Sequence, residues 1–108
     1  MDLKNQKCVP CKVGAPILKG KLLYEFVSQV DDWLLHDKET KMHKEFKFKD
    51  FKSAISFVNQ IADLAEELGH HPNITLFDYN KVRIDLWTHK INGLHKNDFI
   101  LASRIDEI

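Results

Sequence analysis

The chain has 108 residues, 44% of them hydrophobic, enough for one packed core in a domain that buries roughly 60–70% of its unfolded surface. Sixteen basic residues balance sixteen acidic ones, so the positive footprint that draws a protein onto nucleic acid is missing and direct nucleic-acid binding is disfavoured. No apolar run approaches the ~20 residues of a bilayer span, and residues 1–12 are polar where a signal peptide is apolar, which together predict a cytoplasmic protein without membrane contact.

Residues 1–18 mix charged, Cys, Gly and Pro residues without apolar period and read as a loosely ordered leader, leaving one domain over 19–108. Cys8 and Cys11 make no disulfide framework and supply half of a four-ligand zinc site, which fits a reducing compartment. From Lys19 to Asp31, Leu22, Leu23, Phe26, Val27 and Val30 recur at helical spacing. Trp33 to Leu35 reads as a short strand, Asp37 to Thr40 as a turn, and Met42, Phe46 and Phe48 alternate as a strand with one wet face. Asp50 is a suitable N-cap for a long helix whose stripe runs Phe51, Ala54, Ile55, Val58, Ile61, Ala62, Ala65 and Leu68 until Gly69 and Pro72 stop it.

A second hairpin follows, Ile74 to Tyr79 and Lys81 to Thr88, joined at Asn80. Its first strand changes parity between Leu76 and Phe77, which predicts a β-bulge. In its second strand Val82, Ile84 and Leu86 alternate with Arg83, Asp85, Trp87 and His89, so His89 lies on the face away from the apolar one. The last helix, His95 to Ile108, has an apolar arc of Phe99, Ile100, Leu101, Ala102, Ile105 and Ile108, wider than one sheet contact requires, so part of it is expected at a subunit interface. The order α-β-β-α-β-β-α describes an α+β domain with a four-stranded antiparallel sheet and helices on one face.

The chemistry concentrates at His70-His71-Pro72, with Glu66 one turn earlier and His89 and Asp98 downstream. Imidazole titrates near pH ~6.5 and serves as both acid and base at working pH. Gly69 ends the helix and Pro72 blocks its restart, so the two histidines leave on a rigid turn. A metal site from His70, His71, His89 and the cysteines is a competing reading, but adjacent histidines point in different directions and helical metal pairs prefer spacings of three or four.

The series Glu66-x-x-x-His70-His71-Pro72, Tyr79-Asn80-Lys81-Val82, Trp87-Thr88-His89, Gly93-Leu94 and Asn97-Asp98-Phe99 resembles the pterin-4a-carbinolamine dehydratases. The resemblance runs from about Phe46 to the C-terminus, less distinctly back to Pro16, and the Cys8-x-x-Cys11 leader is similar to that of some bacterial members. It implies a lyase that removes water from a 4a-hydroxytetrahydropterin to give the quinonoid dihydropterin, in tetrahydropterin recycling for an aromatic amino acid hydroxylase. The pterin is then the substrate, with no cofactor or metal, and the protein a homotetramer or other homo-oligomer.

By the same resemblance His70 and His89 are the catalytic acid–base pair and His71 binds the pterin. Glu66 fixes an imidazole tautomer or is a solvated helix residue. Asp98 supports the site or simply stabilises the first turn of its helix. Trp87 offers a flat surface to the pteridine or packs at a subunit contact. The interval from His70 to His89 is one residue longer than the family pattern, and the predicted bulge would absorb it. His95 is read as a helix cap, and His36 and His43 as solvent-facing strand residues. The alternative function is a protein-binding module, since some members act as dimerisation cofactors of a transcription factor.

Overall fold

A computed structural model describes residues 3–6 and 16–108; the Cys8-x-x-Cys11 pair lies outside the described residues. The elements are α1 (Gly20–Val27), β1 (Leu34–His36), β2 (Lys41–Lys47), α2 (Phe51–Leu68), β3 (Asn73–Phe77), β4 (Lys81–Leu86) and α3 (Lys96–Asp106), with short 3-10 turns at Leu3–Asn5 and His89–Ile91. The four strands form one antiparallel sheet in the order β1-β2-β4-β3. Met42, Val82, Ile84 and Leu86 point from one face of it into the core, where they meet the helices. This is the predicted α+β architecture. Among the described residues, no helix is long and apolar enough to cross a membrane.

Local chemistry sets the ends of the elements. α1 stops at Val27, short of the expected Asp31, because Gln29 and Val30 donate backwards to Phe26 and Val27 in tight i→i−3 bonds while the Ser28 hydroxyl takes the Glu25 carbonyl. α2 starts where Asp50 accepts from the Ser53 backbone N–H at 2.7 Å, and the Ser53 contacts, side chain before backbone, hold that carboxyl below its ordinary value. The buried line on α2 is Ala54, Phe57, Ile61, Leu64 and Ala65. The expected stripe was therefore off by part of a turn: Phe51 is exposed, while Phe57 packs its ring 4.7 Å from Phe46 and 4.9 Å from Phe48.

The β3–β4 hairpin has no bulge. Its register is continuous from Asn73 opposite Asp85 to Phe77 opposite Lys81. The parity change comes from the strand ending at Phe77; Asp78 and Tyr79 then turn the chain with φ of 46° and 55°. Asn80 follows them, and it is tied to Phe48 by its backbone carbonyl and its side-chain amide, both at 2.8 Å. The three-residue turn leaves the alternation of β4 unchanged.

The wide apolar arc of α3 is covered within the chain. Phe99, Ile100, Leu101, Ala102 and Ile105 are all at most 1% exposed, and only Ile108 is open, at 46%. The helix is central, with α1, α2 and the Leu3–Asn5 turn packed on it. Leu3 is itself buried in the core, and Leu18 donates its N–H to the Leu94 carbonyl at 2.9 Å. The expectation that a single chain would leave this arc in water is thus corrected.

Gly69 closes α2 in the left-handed region, φ 67°, and donates to the Ala65 carbonyl, while a Cβ added there would meet nothing within 4 Å. Gly69→Ala should therefore cost only the left-handed strain, about 1 kcal/mol. Urea unfolding with an unchanged slope measures it.

Candidate functional site

Asp98 organises the site. It is the third residue of α3, fully buried, and a buried carboxylate is tolerable only when its oxygens are well supplied with donors. Oδ2 accepts the Thr88 hydroxyl at 2.8 Å and the His95 backbone N–H at 3.0 Å, and Oδ1 meets His70 Nε2 at 2.6 Å. His95 completes a reciprocal cap, its Nδ1 accepting from the Asn97 N–H at 3.1 Å, which is the capping role expected for it.

An ionised carboxylate only accepts, so His70 donates from Nε2 and its neutral tautomer leaves the Nδ1 lone pair free. Asp98 is thus more than a first-turn helix carboxylate: it fixes an imidazole in place. The His70 side chain is 13% exposed, mostly enclosed but open to one side. His71 points elsewhere, as expected of an adjacent residue. Its Nε2 lies 3.1 Å from Glu66 Oε2, with side chains 61% and 80% exposed. Glu66 therefore partners His71, and Asp98 partners His70.

Thr88 continues the inward parity of Val82, Ile84 and Leu86 and is buried, which turns its neighbours Trp87 and His89 to the other face. Thr88 and Gly93 are bridged, the Thr88 N–H donating to the Gly93 carbonyl at 2.8 Å, and His89–Ile91 coils between them. Gly93 is needed for close approach: a Cβ there would sit 2.4 Å from Ile17 Cγ2. The exposed His89 ring lies over Trp87, centroids 4.4 Å apart, and the Lys41 ammonium is 4.4 Å from the Trp87 ring centroid. These residues, with Asp37, Lys38, Thr40 and Asn92, line a cleft of about 570 Å³. His70 and His71 do not line it, and among the described residues no hydrogen bond joins His70 to His89. What connects the two histidines is Asp98, bonded to His70 and to the residue before His89.

Thr88 and Lys41 were not among the residues expected from sequence. The parity of Thr88 with Leu86 was the available signal; Lys41 had none, because its contact depends on how β2 pairs with β4. Nor are His36 and His43 freely solvated. On the open face of the sheet their Nδ1 atoms are 2.9 Å apart, and His36 Nε2 is 3.6 Å from Asp85 Oδ1. Burial first, then the Arg83 and His36 charges, pulls His43 below its ordinary value against the opposing Asp85 and Glu45. The Asp85 hydrogen bond raises Arg83.

Removing the Asp98 carboxylate leaves Thr88, His70 and the His95 N–H without their acceptor. Asp98→Ala should destabilise the domain by about 3 kcal/mol and Thr88→Val by roughly 1 kcal/mol. Chemical denaturation measures both, and a loss for Asp98→Ala no larger than that of an exposed substitution would refute this organising role.

Residues 17–108 match the family model described as pterin 4 alpha carbinolamine dehydratase. Three similar curated proteins carry the printed name "Putative pterin-4-alpha-carbinolamine dehydratase". That of Alkaliphilus metalliredigens is 42% identical over 107 residues, covering 98% of this chain and 95% of its own. That of Rubrobacter xylanophilus is 40% identical over 107 residues, covering 99% and 98%, and that of Marinobacter nauticus 43% identical over 109 residues, covering 99% and 97%. Among solved structures, a transcriptional coactivator/pterin dehydratase from Brucella melitensis superposes with a TM-score of 0.79 at 34% identity, covering 85% of this chain and 97% of that one. A pterin dehydratase-like protein identified as a RuBisCO assembly factor in the alpha-carboxysome gives 0.61 at 29%, covering 71% and 88%. The extent and identity of these matches, on the α-β-β-α-β-β-α fold, establish that the chain belongs to the pterin-4a-carbinolamine dehydratase family.

Proposed function

We propose that the chain is a hydro-lyase that dehydrates 4a-hydroxytetrahydropterin to the quinonoid dihydropterin, the reaction of 4a-hydroxytetrahydrobiopterin dehydratase (EC 4.2.1.96), within tetrahydropterin recycling in the cytosol. Family membership carries the reaction class. The observation that supports its assignment to these residues is the short contact between His70 and the buried Asp98.

Hydroxide is a poor leaving group at neutral pH, so the C4a–O bond breaks readily only if the departing oxygen is protonated while a base removes a ring N–H proton. Water and the quinonoid dihydropterin then leave with all atoms and charges balanced. His70 is suited to one proton transfer because Asp98 holds Nε2, leaving Nδ1 for the substrate. Asp98 also stabilises the imidazolium when Nδ1 carries a proton. His89 supplies the other transfer at the edge of the Trp87 cleft, where the indole offers a flat apolar surface to the pteridine. His71, solvent-facing and paired to Glu66, binds and orients the substrate.

His70→Ala and His89→Ala should each lower kcat by roughly 10²-fold or more, whereas His71→Ala should mainly raise KM. All three should retain the wild-type fold, since none is part of the apolar core. The assay follows absorbance loss of freshly generated 4a-hydroxytetrahydropterin over its spontaneous dehydration. Near-normal turnover of His89→Ala at wild-type thermal stability would take that residue out of the chemistry, and absence of any acceleration by the wild-type protein would remove the reaction itself.

We further propose a homo-oligomer, a tetramer by family resemblance. Its support is no longer α3 but the apolar side chains that one chain leaves open, Leu34 at 60%, Phe51 at 51% and Tyr79 at 64% exposed, together with the outer edge of β3, which no strand among the described residues pairs. Light scattering at micromolar concentration should give a multiple of 12.6 kDa; a particle of that single-chain mass refutes the assembly.

A further inference from the structure

The open face of the sheet carries a second concentration of chemistry that the dehydration does not use. His43 stands directly across the ladder from Asp85, and His36 is on the neighbouring strand two positions beyond the partner of His43. All three therefore project from the same face, opposite to the one that meets the helices. One nitrogen of each imidazole and one carboxylate oxygen lie within 4.8 Å of one another, and all three residues are half-buried. We propose that His36, His43 and Asp85 form a binding site for a divalent first-row transition ion, with Zn²⁺ as its representative.

The donor set fits such an ion. Imidazole suits zinc, copper, nickel and iron better than it suits magnesium or calcium. Bonds of ~2.0–2.1 Å in tetrahedral geometry place ligand atoms roughly 3.3 Å apart, inside the interval between the 2.9 Å separating the two Nδ1 atoms and the 4.8 Å outer limit of the cluster. Small side-chain rotations on a rigid antiparallel ladder complete the site. Without an ion, two Nδ1 atoms so close share one proton, one donating and the other accepting. Binding displaces that proton and supplies both lone pairs with a partner.

Arg83 is the cation bonded to Asp85. Its Nε and Nη2 reach Asp85 Oδ1 at 3.3 and 3.1 Å, and Nε reaches Oδ2 at 3.1 Å. It can keep Oδ2 while Oδ1, the oxygen nearer His36, turns to the ion, and it then orients the carboxylate as outer partners of metal ligands do. Its charge weakens the affinity for a dication. Three protein ligands leave a fourth position for water on this open face, so the site is of the incomplete kind rather than a closed structural one. The inference does not depend on the dehydratase reading, because that reading gives His36, His43 and Asp85 no role; His89 and Trp87 share this face but are not members of the cluster.

The test uses the full chain, stripped by chelator and carrying Cys8→Ser and Cys11→Ser so that thiols do not compete. Zn²⁺ is titrated calorimetrically while long-range proton–nitrogen NMR follows the imidazole nitrogens. The expected result is one saturable equivalent, with the His36 and His43 ring nitrogens shifting together and those of His70 and His89 unmoved. His43→Ala and Asp85→Asn should bind at least ~10-fold more weakly with unchanged dehydratase activity and thermal midpoint. No saturable binding, binding that leaves the His36 and His43 signals in place, or equal affinity in a folded His43→Ala would each overturn the site. The NMR arm decides even where a variant fails to fold.

Discussion

The structure turns on one buried negative charge. Asp98 is sealed from water, where an unpaired carboxylate would cost several kcal/mol, and each of its donors belongs to a different piece of chain: the turn after α2, the end of β4 and the cap of α3. Satisfying the carboxylate requires all three pieces to arrive together. The same bonds that make the charge tolerable fix the imidazole of His70 in one tautomer, so the stability of the domain and the readiness of its acid–base group have a common origin. A mutation that relieved the buried charge would therefore be expected to disarm the histidine.

The sheet separates two environments. Its helix-covered face is apolar apart from the Asp98 network and the Lys44–Asp106 ion pair, whereas its open face carries Lys41, His43, Glu45, Arg83, Asp85 and Trp87 in a half-wet layer of charge and aromatic surface. β4 serves both: its even positions supply Val82, Ile84, Leu86 and then Thr88 to the interior, and its odd positions supply the open layer. Thr88 and His89 are the point where the strand hands chemistry from one face to the other. A one-residue slip would exchange these roles, which is why it matters that the β3–β4 ladder runs without a bulge and the parity change falls in the turn after Phe77.

Much of this was legible from residues alone. Asp50 and Gly69 bounded α2 by capping chemistry, the odd–even pattern of β4 gave the facing of His89, and the short matches around His70, His89 and Asp98 gave the family. The failures were failures of distance information. Alternation alone cannot tell a bulge from a strand that ends, so Phe77-Asp78-Tyr79 was misread. The stripe on α2 was shifted because an apolar pattern broader than the buried face admits more than one rotation, and only the packing of Phe57 on Phe46 and Phe48 selects it. The partners of Glu66 and Asp98, and the meeting of His36, His43 and Asp85, depend on how separate strands and helices register. Nothing in their local sequence states that.

The central placement of α3 bears on how the domain comes to exist. Every other element precedes it in chain order, yet it supplies Phe99, Ile100, Leu101 and Ile105 to the middle of the core, and Leu3, from the other extreme of the sequence, shares that core. During synthesis, α1, α2 and the whole sheet emerge with their apolar faces uncovered and must wait for the helix that fills them. Folding of this domain is therefore a closing event that waits for α3, and the nascent chain spends that interval as a client for whatever protects exposed apolar surface in the cell.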